Sequence, residues 1–201
     1  IKNIYDYISS SLQKLLPDTI VLFLSVDYAS KNTCLENVSG LKNHLFEKIL
    51  TISGVNPVGK SFKLLPDYDK LYRTGKLVEF KNGLVDFSAG QFPALATKSI
   101  EKIIDLHKIY TIGISNEHDL LANLHFLTFN KKEISNADFI EAFVKQAGMI
   151  LQIKQAEQSL KESEERYRKA QKLGKVGNWE YNPHTSEFWA SEETKHIFGF
   201  A

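Results

Sequence analysis

The sequence predicts a protein of the α+β class, in which amphipathic helices and short strands are followed by one very long helix. Residues 1–16 carry apolar side chains at helical spacing. Residues 20–28 are rich in the β-branched and aromatic side chains typical of a buried strand. From residue 135 to about residue 172 a helical pattern continues without proline and with one glycine, Gly148, far beyond the length of an average globular helix.

Composition narrows the classes of function. Of the 201 residues 43% are apolar and 24% are charged, the balance of a globular protein, and the net charge of +1 gives no sign of nucleic-acid binding. No apolar run approaches the ~20 residues that a membrane span needs, so no span is expected. A single cysteine, Cys34, excludes an internal disulfide and fits a reducing cytoplasm. Because the chain starts at Ile1 without Met, we expect it to be a piece of a longer protein.

The first helix is expected to end at Pro17-Asp18, since proline cannot continue a helix. Apolar residues spaced along one helical face then predict a helix that stops at Ser53-Gly54; they are Leu41, Leu45, Ile49 and Ile52. The other predicted elements are, in order, a strand at 33–38, an extended piece at 61–65, a small helix at 67–74, a strand at 76–80, a helix at 92–107, and strands at 108–115 and 120–129 joined by a hairpin connection at 116–119.

The long helix carries two rows of residues spaced by seven. The first row is mostly apolar and consists of Gln146, Ile153, Leu160 and Tyr167. The second turns acidic halfway and consists of Phe143, Ile150, Glu157 and Glu164. This pattern indicates an imperfect coiled coil whose outer half is weakly held. Glu and Lys or Arg four residues apart should support the helix there; the pairs are Glu157–Lys161, Glu162–Arg166, Glu164–Arg168 and Glu165–Lys169. We interpret the helix as a dimeric connecting rod; the alternative is a solvated helix with a charged face.

After Gly174 the pattern changes to two short strands, near 176–181 and 187–190, and then a helix capped by Ser191. The stretches that carry a resemblance are ESEERYR (162–168), KVGNWE (175–180), FWASEE (188–193) and IFGF (197–200). They resemble the entry helix and first two strands of a PAS domain, as found in sensor histidine kinases. The resemblance implies that residues 173–201 are the N-terminal part of such a domain and leave Trp179 and Trp189 unburied.

Residues 1–153 resemble a GAF domain. The order of elements carries this resemblance, together with the late hairpin that ends in LHFLTF (124–129) and the stretch NADFIEAFVKQA (136–147), which is similar to the closing helix of GAF domains. The resemblance implies an antiparallel sheet with packed helices and a small-molecule pocket on one face.

The two resemblances imply three segments: a GAF-like sensor domain (1–153), a signalling helix (154–172) and a PAS fragment (173–201). This order is common in sensor histidine kinases. It implies a signal-input region that forms a homodimer through helix 135–172 and binds a small-molecule ligand, without nucleic acid. The alternatives are a ligand-free GAF module for dimerisation and spacing, or a haem- or nucleotide-binding GAF domain.

Residues 54–61, GVNPVGKS, match the phosphate-loop pattern G-x-x-x-x-G-K-[ST]. A true phosphate loop follows a buried strand and opens a helix, so that backbone N–H groups meet the phosphates. Here a predicted helix comes before the loop, and Pro66 would break a helix that started at Ser61. We therefore expect a connection that leads into a strand, with Lys60 at a pocket rim or on the surface.

No pattern of catalytic residues is present, and the histidines lack zinc-binding spacing; they are His44, His107, His118, His125, His184 and His196. His125 lies in the middle of a predicted strand and either faces the pocket or is an ordinary hydrogen-bonded residue. His107 is expected to complement the C-terminus of its helix.

Cys34 is either a haem or chromophore ligand or a small buried hydrophobe. Bilin-binding GAF domains usually carry Cys-His, whereas Leu35 follows here. Asn130-Lys131 begins the cyclic-nucleotide motif of some GAF domains, but Phe143-Val144 replaces its Asp-Glu, so that ligand is not expected. The cofactor stays open, and any kinase activity is expected outside this chain.

Overall fold

The computed structural model describes residues 2–40, 56–88, 94–116 and 119–200. The helix predicted at 41–52 lies outside these ranges. The chain divides into two compact units, residues 1–153 and residues 154–201.

The described part of the first unit forms a six-stranded sheet in which all neighbouring strands are antiparallel. The strands are β1 (Thr19–Asp27), β2 (Asn32–Ser39), β3 (Ser61–Lys63), β4 (Val78–Phe80), β5 (Leu106–Ser115) and β6 (Leu120–Phe129). Their order across the sheet is β3-β2-β1-β6-β5-β4. The most apolar strands, β1 and β6, are therefore neighbours at the centre, where both faces of the sheet are covered.

The helices in the described part of this unit are α1 (Lys2–Leu15), α2 (Pro66–Arg73), α3 (Leu84–Ser88), α4 (Ala94–Ile104) and α5 (Ala137–Gly174), which continues into the second unit. Those that were predicted begin and end close to the expected positions. Pro66 stands at the start of α2, where its missing N–H costs nothing. The five-residue helix α3 was not predicted.

The prediction for His107 is wrong. Helix α4 ends at Ile104, and His107 is an exposed residue of β5. Asp105, between them, has a positive φ of 50°. This left-handed conformation ends the helix and turns the chain directly into the strand.

The two faces of the sheet carry separate cores. Val21 and Phe23 of β1 belong to the core that α1 and α5 cover, where the Tyr5 ring stacks on Phe23 with centroids 4.5 Å apart. Leu22 and Leu24 point the other way, into a core that includes residues of α2, α3 and β4. We call these the α5 face and the α2 face.

Helix α5 is 38 residues long and buries one stripe on the sheet, consisting of Ile140, Val144, Ala147, Gly148 and Leu151. The two predicted rows lie outside this stripe. Ile150, Ile153 and Leu160 are 54%, 57% and 63% exposed. These three side chains are thus free of the domain's own core, whereas Phe143 of the second row is half-buried and packs against that core.

None of the four expected Glu–Lys or Glu–Arg pairs of α5, a helix described throughout, forms a salt bridge. Instead, Lys154 Nζ lies 2.6 Å from a carboxylate oxygen of Glu157. Pairs four residues apart on an exposed helix contribute only about 0.2–0.5 kcal/mol, which is too little to fix long side chains in one arrangement.

The second unit contains a hairpin of β7 (Trp179–Asn182) and β8 (Glu187–Ala190), followed by α6 (Glu192–Phe198). The predicted cap of α6 is confirmed, because the Thr194 N–H donates to Ser191 Oγ over 3.2 Å. The Trp179 and Phe188 rings stack with centroids 5.9 Å apart, yet both side chains are 63% exposed. This unit therefore leaves its large aromatic residues uncovered, as expected.

Candidate functional site

Two polar side chains lie at the centre of the α2 face. Asn123 and His125 of β6 are each 1% exposed, and Asn123 Nδ2 lies 2.7 Å from His125 Nε2. They are two residues apart on one strand and therefore share a face. We call them the Asn123–His125 pair.

Aromatic rings surround the imidazole of His125. The Phe87 ring of α3 meets it edge to face with centroids 4.6 Å apart. The Phe80 ring of β4 stacks on it, and the Tyr72 ring of α2 meets it edge to face, each at 5.9 Å. Three elements thus enclose one polar ring in an apolar, aromatic environment.

The site carries no charge at neutral pH. Burial lowers the pKa of His125 to about 3, so its imidazole is neutral. Burial also raises the pKa of Tyr72, whose hydroxyl hydrogen-bonds to the Thr111 side chain. Thr111 in turn donates to the carbonyl of Leu124 over 3.1 Å. None of the described buried residues is an Asp, Glu, Lys or Arg.

Two buried atoms of the pair lack hydrogen bonds. Asn123 Oδ1 and His125 Nδ1 are buried and have no hydrogen-bond partner among the described residues. A buried polar atom without a partner costs about 1–3 kcal/mol, and native proteins contain few of them. The pair is therefore the strongest candidate for a functional site in the described part of the chain.

Gly113 of β5 allows helix α2 to pack close to the sheet beside this pair. A Cβ on Gly113 of β5 would lie 2.2 Å from the carbonyl oxygen of Tyr72, which no side chain tolerates. Only glycine lets the backbone of α2 come so close to the sheet. This close approach brings the Tyr72 ring to His125.

The segment after α2 is bonded to α5. A carboxylate oxygen of Glu141 lies 2.7 Å from Lys76 Nζ, and the other accepts the Leu77 N–H over 3.0 Å. The hydrogen bond from Lys76 is the main cause that lowers the pKa of Glu141, and the Leu77 N–H adds to it. These residues border a cleft of about 470 Å³ that Arg73 and Lys145 also line.

The phosphate-loop match is described from Asn56 onward. The Gly59 N–H donates to the carbonyl of Leu35 over 2.7 Å, and the carbonyl of Lys60 accepts the Leu35 N–H over 3.1 Å. Ser61 then begins strand β3 instead of a helix. The prediction that this stretch leads into a strand is confirmed, and Lys60 is exposed. With its backbone bonded to β2, the described part of the stretch, from Asn56 to Ser61, lacks the geometry of a phosphate cradle.

The other candidate residues lie away from the pair. Cys34 is half-buried. Its neighbour Leu35 belongs to the α2-face core, so Cys34 points to the opposite face. His184 and His196 are exposed in the second unit, whereas His44 and His118 lie outside the described residues. Within the described ranges, no group of three metal-ligating residues is present.

Of the residues singled out from the sequence, His125 is the one found at this site. Asn123 was missed. The signal was present in LLANLHFLTF, where two polar residues at positions i and i+2 interrupt an apolar strand. Since the central strands are buried on both faces, such residues must be buried together.

No family model and no curated protein matches the chain. Solved structures with a similar fold do exist. The GAF domain/HD domain protein from Geobacter sulfurreducens is 11% identical with a TM-score of 0.54, over 77% of this chain and 93% of that one. The blue-light absorbing PixJ GAF domain from Thermosynechococcus elongatus is 11% identical with a TM-score of 0.55, over 80% and 90%.

A third similar structure is a domain of a putative two-component sensor histidine kinase from Sinorhizobium meliloti, 15% identical with a TM-score of 0.51, over 80% and 96%. These similarities establish the fold as GAF-like, an antiparallel sheet with packed helices and a long C-terminal helix. No helix in the described ranges is both long and apolar enough to span a membrane.

Proposed function

We propose that this chain is the signal-input region of a cytoplasmic two-component sensor histidine kinase. In this proposal the GAF-like unit binds a small molecule on its α2 face and passes the signal through paired α5 helices to a PAS domain that begins at residue 173. The single observation that carries it is the buried, partly unpartnered Asn123–His125 pair. The origin of similar structures in a sensor kinase and a light-absorbing receptor supports it.

A direct route connects the α2 face to α5 through the sheet. Tyr72 touches His125 with its ring and Gly113 with its backbone. The next residue of β5, Ile114, points to the opposite face, where a Cβ on Gly148 would lie 2.8 Å from Ile114 Cγ2. Two consecutive residues of β5 therefore contact α2 on one side and α5 on the other. A ligand that moves α2 would press on α5 by this route.

A second route runs around the edge of the sheet. Glu141 of α5 holds both Lys76 and Leu77, which lie just beyond the two residues that follow α2. Any shift of α2 would pull on this carboxylate. The two contacts on α5 lie two helical turns apart, at Glu141 and Gly148, which suits a rotation or tilt of the helix.

The partner of α5 in this proposal is a second copy of the chain. An apolar groove of about 520 Å³ lies between α1 and α5 and is lined by Ile4, Tyr7 and Phe143 among others. Tyr7 and Phe139 on its rim are 69% and 55% exposed. Beyond the groove, the first row of residues spaced by seven continues along α5 with the exposed Ile153 and Leu160. A second copy of the chain would therefore cover a stripe that runs along α5.

The mechanism is a shift between two arrangements of the paired helices. Glu157 and Glu164 interrupt the second row and weaken the outer half of the pair. Alternative registers of a weak coiled coil have similar free energies. A small differential contact at the α2 face would then suffice to select one of them.

Native mass spectrometry of the purified protein tests this function. We expect a dimer that carries a bound small molecule. Ile150→Glu should give a monomer, because it places a charge in the row, whereas Gln152→Glu, an exposed position beside the row, should leave the dimer intact. An absorption spectrum checks for haem. A wild-type monomer would contradict the paired-helix mechanism, and a dimer whose helices do not respond to any bound molecule would favour the spacer module.

A further inference from the structure

We infer that the Asn123–His125 pair selects an uncharged ring compound that carries both a hydrogen-bond donor and a hydrogen-bond acceptor. This inference rests on the proposed function, because it names the class of ligand that the α2 face would bind. It follows from the atoms that the pair leaves unbonded, from the absence of charge among the described buried residues of that face, and from the rings around it.

The pair offers one donor and one acceptor whichever way its hydrogens are placed. If the Asn123 amide donates to His125 Nε2, then Nδ1 carries the proton and is a free donor, while Oδ1 is a free acceptor. If the amide is rotated so that Nε2–H donates to its oxygen, Nδ1 becomes the free acceptor and the amide NH₂ the free donor. The count does not depend on the assignment. A matching ligand must supply one acceptor and one donor.

The environment of the pair disfavours a charged ligand. His125 is neutral because it is buried, and none of the described buried residues is an Asp, Glu, Lys or Arg. An ion brought there would lose its hydration and would find no opposite charge among the described residues of this core. Phosphates, carboxylates and ammonium groups are therefore expected to be excluded.

The aromatic residues favour a planar ring. Tyr72, Phe80 and Phe87 already contact the His125 imidazole by stacking or edge to face, with centroids 4.6 to 5.9 Å apart. Aromatic rings prefer these arrangements with one another. A ring compound that bonds to the pair would extend the same cluster of aromatic contacts.

The Asn123–His125 pair lowers the stability of the ligand-free protein, because it keeps two buried polar atoms without hydrogen bonds. Replacing both partners of a buried polar pair by apolar groups of similar shape is often neutral or stabilising. Asn123→Leu/His125→Leu should therefore raise the Tm by about 2–8 °C. The same double variant should lose the ligand. A structural role alone would give the opposite change in stability.

The test uses the whole chain and three probes of similar size: 2-pyridone, which has a donor and an acceptor, N-methyl-2-pyridone, which lacks the donor, and benzoate, which is an anion. Binding is measured by saturation-transfer NMR at millimolar concentrations, and Tm by calorimetry. We expect 2-pyridone to bind at least tenfold more tightly than the other two, and the double variant to be more stable and to bind none of them.

Three results would overturn the inference: no binding of 2-pyridone, equal binding of N-methyl-2-pyridone, or a lower Tm of the double variant. Preference for benzoate that the double variant abolishes would refute the ligand class but keep the α2 face as the sensing site. Binding that the double variant does not change would count against both the ligand class and the proposed site.

Discussion

Gly148 of α5 packs directly against Ile114 of β5, so that a Cβ on the glycine would come within 2.8 Å of Ile114 Cγ2. This contact explains the one glycine in the interior of a helix of 38 residues, whose other glycine, Gly174, is its last residue. Glycine inside a helix costs roughly 0.5–1 kcal/mol relative to alanine. Here the lack of a Cβ on Gly148 allows the long helix to lie close to the sheet, which offsets that cost.

Gly148→Ala should destabilise the protein by about 1–2 kcal/mol, since overpacking outweighs the better helix propensity of alanine. Urea unfolding measures the change. Ile114→Ala removes the methyl group that collides, so the double variant should lose less stability than the sum of the two single variants. Strict additivity would show that this contact is not as close as described.

Acid should destabilise the protein through His125. The pKa of this histidine is about 3 in the folded protein and near 6.5 in the unfolded chain, so the unfolded chain binds the proton first as the pH falls. Between about pH 6 and pH 3, stability should therefore decrease by about 1.4 kcal/mol per pH unit from this group. The difference between the wild type and Asn123→Leu/His125→Leu isolates the effect in unfolding curves.

NMR titration of the imidazole provides an independent check of the same prediction. Its proton shifts should stay constant from neutral pH to about pH 4. A midpoint near the ordinary histidine value would mean that the ring is hydrated.

Glu141→Gln should remove an interaction that stabilises the folded protein at neutral pH and is lost in acid. The pKa of Glu141 is lowered by Lys76 and by the Leu77 N–H, so its contribution is present above its ordinary pKa of 4.5 and is lost as the pH falls through the folded-state pKa. The loss of stability on substitution should thus be larger at neutral pH than in acid.

Lys76→Met should reproduce only part of this loss, because the Leu77 N–H still donates to the carboxylate. Unfolding free energies of both variants at neutral and acidic pH test the prediction. An equal loss for Glu141→Gln at both pH values would show that its carboxylate contributes no charge-dependent stability.

Glu157→Leu/Glu164→Leu should strengthen the pairing of α5 that we propose and lock the output of the proposed sensor kinase. The substitutions complete the second row of apolar residues, which removes the competition between registers. The matched control is Glu162→Leu/Glu165→Leu, which adds the same two side chains outside both rows. Sedimentation measures dimer affinity, and an unchanged response to signal in the first variant would refute the shift between helix arrangements.

The order of the helices and strands could be predicted from the sequence, whereas the buried Asn123–His125 pair could not. Strand β6 and its hairpin with β5 were predicted, but the pairing of β6 with β1 was not. Only both pairings together show that Asn123 and His125 are buried at the centre of a face. The aromatic rings around them come from α2, β4 and α3, which are separated from β6 by many residues. Such clusters depend on tertiary contacts, which no local pattern contains.

The missed helix α3 and the misplaced end of α4 have local causes. Helix α3 is only five residues long, too short for a periodic pattern to distinguish it from a turn. The end of α4 depends on the left-handed conformation of Asp105, which an aspartate adopts without the glycine that would have marked it. On α5, the expected ion pairs involve exposed side chains, whose arrangement sequence spacing does not determine.

The lengths of the strands affect how the protein behaves at high concentration. The outermost strands, Ser61–Lys63 and Val78–Phe80, have three residues each, whereas the inner strands have eight to ten. An open sheet edge is a template on which another molecule can add a strand, and short edges offer few backbone groups for this. The short strand into which GVNPVGKS leads is therefore expected to limit this route to aggregation.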